Sequence, residues 1–417
     1  MSTNRHHNEE KQKTDKRNIY KLVFSQFLIN LGDVLINPKV TLPWLLSSVG
    51  APLFLLGWLV PIRESGSLLP QVLIAHFMYG LKRRKWVWIL GSIVQSLCVV
   101  VIGIAALVLE GASAGWVIVG TLIVFSIARG LNSVASKDVL GKTVIKSKRG
   151  RVTGWASSAS GFITVVAASA ILFFFDQLQE NVNFYIIGIA AATFIWLFAA
   201  LVYSFIKEPL TEVHEKASSL SAILKEFRLL KNDPVFRRFV IARSLLLCAA
   251  LSAPYYVLIA QGLTNSSVLT LGIFVLVSGL ASLLSSPFWG MFSDYSSRKV
   301  MLISSLLSAC IGVILFASVR YEFNASIIEW IIPILYFLLS VAHQGIRIGR
   351  KTYLINLGEG NKRTSYVAVS NTVIGFILLV MSSVSLLSYA LSFEMLVIIF
   401  SSITFVGVVM VMRLPET

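Results

Sequence analysis

Apolar positions along most of this chain do not alternate with polar ones at any period; they run on unbroken. Twelve stretches, roughly 22–46, 52–79, 86–109, 115–136, 153–175, 184–206, 239–261, 267–292, 300–319, 327–348, 365–390 and 394–412, hold little else. A helix of about 20 apolar residues crosses a bilayer. Lipid offers the backbone no hydrogen-bond partner, so a spanning segment is either a helix or part of a closed barrel, and nothing here reads as ~10-residue alternating strands. The pattern predicts an all-α integral membrane protein with 12 transmembrane helices. The longest connection, 207–238, divides the spans six and six, into bundles at 22–206 and 239–413. In that linker Leu220, Ile223, Leu224, Phe227 and Leu230 recur at helical spacing, which predicts a short amphipathic helix on the membrane surface. Asn232-Asp233-Pro234 then turns the chain into the seventh span. Residues 1–21 are polar, lack the apolar core of a signal peptide, and read as a disordered tail.

Composition agrees. Of 417 residues 56% are hydrophobic and 13% charged, with a mean hydropathy of +0.78, where a soluble domain carries about 25% charged residues. The net charge of +16 would suit nucleic acid, but the placement of the charges decides otherwise. Lys39, Arg63, Arg129, Arg243 and Arg347 lie within spans and only Arg320 in an odd-to-even connection. Every other Lys and Arg lies in the N-terminal tail, the even-to-odd connections or the C-terminus, while the odd-to-even side holds Glu110, Asp176, Glu180 and Glu322. By the positive-inside rule both termini are cytoplasmic, in a multi-pass protein of the inner membrane. The cysteines Cys98, Cys248 and Cys310 fall in apolar spans at unrelated spacings and read as small packed residues. With no Walker loop, no Ser/His/Asp grouping and no metal-ligand spacing, the chain carries no sign of an enzyme, a cofactor or a resident metal.

The two halves repeat each other. At an offset of 214 residues Arg84–Lys85 falls on Arg298–Lys299, Lys137 on Lys351, Lys148–Arg149 on Lys362–Arg363, and Gly161-Phe162-Ile163 on Gly375-Phe376-Ile377. Such repeats are a signature of transporters whose halves rock about a substrate site.

One connection carries a family resemblance. Gly290 to Lys299, GMFSDYSSRK, resembles the G-x-L-A-D-R-x-G-R-K loop of the major facilitator superfamily; Gly290, Asp294, Arg298 and Lys299 match. The copy between spans two and three, HFMYGLKRRK, keeps Arg84 and Lys85 but has Gly80 in place of the aspartate. The resemblance implies two pseudo-symmetric six-helix bundles and an aspartate that helps to latch the halves; the departure places that latch at Asp294. Arg129 matches the family's mid-span arginine in part, and the fifth span lacks the Gly-Pro pattern of drug/proton antiporters.

Charged side chains in mid-bilayer cost about 2.5–3.5 kcal/mol each on insertion scales, and are kept where they pair or line a cavity. Asp33, Arg63, Glu64 and Arg129 lie deepest. Neighbours on a helix point about 100° apart, so Arg63 and Glu64 need separate partners. The pairing expected is Arg63 with Asp33 and Glu64 with Arg129, with Asn30, Ser65, Ser67 and Asn132 satisfying the remaining hydrogen bonds. Asp33 and Glu64 are the candidate proton carriers. Arg243 and Arg347, about one turn from the inner boundary, either extend a positive lining or snorkel to the interface. His343, aligned with Arg129 by the repeat, is a further candidate. The expectation is a secondary transporter, functional as a monomer in lipid, that moves a small organic solute by alternating access with proton coupling. Its basic bias leans toward an anionic or zwitterionic solute. The alternatives are an uncoupled facilitator and a non-transporting receptor or assembly factor on the same scaffold.

Overall fold

The computed structural model describes residues 2–36, 41–52, 55–178, 182–210, 226–263, 267–321, 325–381 and 391–416. Lys39, Glu180, Glu322 and most of the expected amphipathic helix (211–225) lie outside them, as does the side chain of Asp176. Among the described residues all regular structure is helical. The helices are α1 (Ser2–Leu35), α2 (Thr41–Ser48), α3 (Leu56–Leu68), α4 (Gln71–Met78), α5 (Lys85–Val108), α6 (Gly111–Thr143), α7 (Arg149–Leu178), α8 (Val182–Ser204), α9 (Leu229–Asn232), α10 (Pro234–Leu245), α11 (Cys248–Leu251), α12 (Ala253–Leu263), α13 (Ser267–Tyr295), α14 (Ser297–Arg320), α15 (Ala325–Leu357), α16 (Gly360–Met381) and α17 (Phe393–Met412). Seven of the described helical segments are long and apolar enough to cross a membrane.

Several boundaries depart from expectation, two of them in the first unit for a local reason. α1 starts at Ser2, so the tail continues the first helix; its run of Glu, Lys and Gln residues favours helix. The second span is broken after Leu68, because Pro70 has no N–H to donate and sits at the start of α4. The turn expected before the seventh span is present. Asp233 caps α10, its Oδ1 accepting from the backbone of Val235 (3.1 Å) and Phe236 (3.0 Å) with Pro234 in the first turn. Gly360, at φ +51°, lets the chain enter α16 through the left-handed region.

By contact the chain divides into two compact units that do not follow chain order. One comprises Met1–Lys146, Glu180–Arg228 and Gly358–Leu379; the other Ser147–Gln179, Leu229–Leu357 and Val380–Thr417. Each therefore contains one helix from the opposite half of the sequence, α16 in the first and α7 in the second.

In the first unit Trp196 is fully buried, edge-on to Phe125 with ring centroids 5.4 Å apart. It packs so close to α1 that a Cβ on Gly32 would meet its ring at 2.7 Å. Here α16 lies on the broken second span. Thr372 Oγ1 donates to the carbonyls of Leu69 (3.1 Å) and Leu68 (3.3 Å), and Asn371 Nδ2 to Gln71 Oε1 (2.6 Å).

The second unit is built round Tyr256, Phe274, Ile311, Leu315 and Leu339, with α7 lying along α13. Ser158 Oγ donates to the Leu283 carbonyl (2.7 Å) and Ser282 Oγ to that of Ser157 (3.0 Å). A Cβ on Gly154 would stand 2.4 Å from the Ser286 carbonyl oxygen, and one on Gly161 2.4 Å from the Leu283 nitrogen. Backbone thus meets backbone, the close approach that small residues allow between membrane helices.

Candidate functional site

Three helices of the first unit bring charge together. Asp33 on α1 stands between Arg63 on α3 and Arg129 on α6. Arg63 Nη2 lies 2.6 Å from Asp33 Oδ1, and Arg129 Nη1 donates to Asp33 Oδ2. The Arg63 guanidinium also lies over the Phe125 ring, 4.4 Å from its centroid, a cation–π contact favoured where water is excluded. Arg63 is 5% exposed and Arg129 37%, so Arg129 is the open side of the group. The other terminal nitrogen of Arg63, Nη1, is buried without a hydrogen-bond partner among the described residues.

The expected Arg63–Asp33 pair is therefore present, and the Glu64–Arg129 pair is not. Glu64 is exposed and forms no ion pair among the described residues. The reason is geometric: Arg63 points inward, its neighbour is turned about 100° away, and the two oxygens of Asp33 accommodate both arginines. One carboxylate is thus paired with two guanidinium groups, and Glu64, without an ion pair, is still near enough to act electrostatically on both arginines. The expected hydrogen-bonding residues also go elsewhere. Asn30 accepts from Gln26 (3.0 Å), Asn132 donates to Ser92 (2.9 Å), and Ser67 donates to the Glu64 carbonyl (2.9 Å).

In the second unit Arg243 is buried on α10, and His343 and Arg347 lie on α15. These residues are deeper in their helices than the sequence suggested. α15 runs to Leu357 and α10 starts at Pro234. At 1.5 Å per residue that puts Arg347 and Arg243 about 14–15 Å from those helix ends. The longer α15 also takes in Arg350 and Lys351, which the sequence had assigned to a connection.

The loop motif is engaged at both copies. Asp294, in the last turn of α13, accepts from the backbone N–H of Gly150 (2.6 Å) and Arg151 (3.1 Å), capping α7, and lies 3.4 Å from Arg151 Nε. Gly290 lets that approach happen, since a Cβ there would fall 2.7 Å from the Gly150 carbonyl. Arg298 turns to the C-terminal segment, donating to Glu416 Oε1 (3.0 Å) and the Leu414 carbonyl (2.8 Å), and Lys299 stands over the Tyr295 ring.

At the other copy, which lacks the aspartate, a distant carboxylate does the capping. Buried Glu208 accepts from the backbone N–H of Arg84 (3.0 Å) and Lys85 (2.8 Å). Arg84 reaches Asp138 (3.1 Å), Thr364 Oγ1 (2.5 Å) and Asn361, so it ties α6 and α16 together. Lys85 Nζ donates to the carbonyls of Ser204 and Ile206, and Lys142 pairs with both Asp138 (2.5 Å) and Glu208 (3.2 Å). Sequence reasoning missed Asp138, Lys142 and Glu208. The i, i+4 spacing of Asp138 and Lys142 was the one available signal.

A sequence model of the Major Facilitator Superfamily matches residues 22–278. This chain belongs to that superfamily. An uncharacterized MFS-type transporter of Methanocaldococcus jannaschii is 24% identical over 379 residues, covering 88% of this chain and 87% of that protein. Solved structures of superfamily transporters superpose along nearly the whole length. The proton:xylose symporter XylE does so with a TM-score of 0.74 at 13% identity, over 97% of each chain. The human organic anion transporter MFSD10 does so with a TM-score of 0.71 at 12% identity, over 95% of this chain and 99% of its own. At such identities the likeness establishes the fold alone. The protein is thus an all-α, multi-pass membrane transporter of the superfamily rather than an enzyme.

Proposed function

We propose that this superfamily member is a proton-coupled secondary transporter of a small anionic or zwitterionic solute. It works as a monomer by alternating access of the halves 22–206 and 239–413, with both termini in the cytoplasm of a cell whose inner membrane it spans. The observation that carries this reading is the single carboxylate of Asp33 held by two arginines. A solute carboxylate or phosphate arriving at exposed Arg129 competes with Asp33 for its guanidinium, for which fork-to-oxyanion bonding is well suited. Asp33, losing cationic partners in a buried place, becomes a site for a proton. Binding of solute and binding of a proton are then linked through one shared pair of arginines. The Asp294–α7 cap and the Arg84 tie to α16 are the latches of the cycle, and the sites on Arg243, His343 and Arg347 extend the positive lining.

Uptake into proteoliposomes under an imposed pH gradient tests the reading. Asp33→Asn is expected to abolish gradient-driven accumulation and leave counterflow exchange of solute measurable. Accumulation that ignores the gradient and survives Asp33→Asn would make the protein an uncoupled facilitator. Absence of any flux across a broad solute panel would favour a non-transporting receptor.

A further inference from the structure

Of the four deep charges of the first unit, Glu64 alone has no part in that cycle. It lies near the middle of the second span, exposed, with no ion pair among the described residues. It is nonetheless near enough to act electrostatically on Arg63 and Arg129. A charge left open to lipid at that depth costs about 2.5–3.5 kcal/mol. The helix faces place it elsewhere. At about 100° per residue, Arg129 is turned about 165° from the stripe of α6 on which Ile123, Val124 and Ile127 are exposed. By the same count, Asp33 is turned about 160° from exposed Tyr20 and Phe24 on α1, and Glu64 about 120° from exposed Trp58 on α3. The open charges therefore lie on sides of their helices turned away from lipid.

Two unlike charges are thus presented without meeting. Asp33 is taken up by its two arginines and has no oxygen to spare for a cation of the solute. Glu64 has both of its own. Arg129 is 37% exposed and gives Asp33 only Nη1 of its planar fork, so further N–H groups remain for an oxyanion. Arg63 keeps Nη1 without an acceptor although it is only 5% exposed, a further donor in the same group. Direct contact of Glu64 with Arg129 would satisfy each with the other; held apart, they suit a molecule that spans them. We propose that Glu64 and Arg129 select a zwitterion, a small amino acid whose ammonium group donates to Glu64 and whose carboxylate accepts from the Arg129 fork. This rests on the transport reading of the same arginines and narrows its cargo from anionic or zwitterionic to zwitterionic. It also divides the two acids, Glu64 holding cargo and Asp33 the proton.

The test uses the full chain in dodecyl maltoside, which brings no lipid headgroup, titrated with β-alanine and with its singly charged relatives propionate and propylamine. L-alanine and γ-aminobutyrate vary the separation of the two charges. At least one of the three zwitterions is expected to raise Tm at a concentration where neither single ion does. Glu64→Gln should reduce the preference for that zwitterion over propionate roughly tenfold, and Arg129→Gln should weaken both. A merely structural Glu64 would lower Tm and leave the preference where it was. Overturning results are a parent protein that no zwitterion stabilises, propionate or propylamine stabilising it as well as any zwitterion, or a monodisperse Glu64→Gln variant with the full preference. Should that variant not fold, Glu64→Asp decides. Its shorter arm should shift the ranking toward γ-aminobutyrate, and an unchanged ranking would overturn the site. A last arm adds phosphatidylethanolamine, which carries the same two kinds of charge; stabilisation by it and by no free amino acid would assign the pair to a lipid headgroup and overturn a solute. A zwitterion that binds and is not carried into proteoliposomes would end the transport reading and keep the site. Proton-driven uptake of propionate that ignores Glu64 would do the reverse.

Discussion

Two crossings in this molecule are related by the 214-residue repeat, yet they are made of different material. Ser158 on α7 donates to the Leu283 carbonyl, and its repeat equivalent Thr372 on α16 donates to that of Leu69, the equivalent of Leu283. One turn further on come Gly161 and Gly375, again equivalent. Around that common bond the α7/α13 crossing is glycine against backbone, whereas the α16 crossing is polar side chains against a helix broken at Pro70. The first sets main chain against main chain, with two serine hydroxyls bonding to backbone carbonyls, so its contact is close and continuous. The second is held at discrete points, Gln71–Asn371 and Arg84–Thr364, which fix register. Equivalent positions in a duplicated fold can thus keep one hydrogen bond and diverge in everything round it.

The comparison can be broken most severely at Gly154. A leucine there would drive side chain into the Ser286 carbonyl and the Gly290 Cα, 2.4 and 2.9 Å from the new Cβ. Main chain cannot step aside, so a loss of about 3 kcal/mol is expected, read as failure to recover monodisperse protein from detergent. The equivalent alanines sharpen the contrast. Gly161→Ala meets backbone at 2.4 Å and Gly375→Ala meets the Leu68 Cβ at 2.9 Å. Losses of about 2 and about 1 kcal/mol follow, and equal Tm shifts would mean that the two crossings pack alike. Next come the two caps. Glu208→Gln and Asp294→Asn should each cost about 1 kcal/mol, with Glu208 the larger, since its ion pair with Lys142 is buried whereas the Arg151 beside Asp294 is half exposed. Asn371→Leu removes one buried amide pair, worth about 0.6 kcal/mol between membrane helices. Thr372→Val is the smallest, a few tenths of a kcal/mol, visible only as a small Tm change.

Much of the fold was legible because lipid imposes long apolar segments, and the superfamily loop at Gly290–Lys299 named the scaffold. The Arg63–Asp33 pair was legible for the same reason, since few charges sit that deep. Three features were not. Glu64 was given Arg129 by counting charges, and a count does not register that one carboxylate can serve two arginines. Arg350 and Lys351 looked like connection because basic residues usually mark a span's end; here α15 runs past them to Leu357. Glu208 lies more than a hundred residues from the N-terminus of α5 that it caps, and no local pattern encodes such a partner.

The arrangement at Asp33 also has an electrical consequence. With Asp33 held directly between two arginines and Glu64 near enough to act on both, the charge that moves across the membrane's field is set by what the cycle adds. A unit charge crossing 100 mV is worth about 2.3 kcal/mol. Under the proposed cycle a singly charged anion and one proton enter together and add no net charge, so resting voltage would neither drive nor oppose the loaded step. A zwitterion in the anion's place would leave the proton's charge for that voltage to drive.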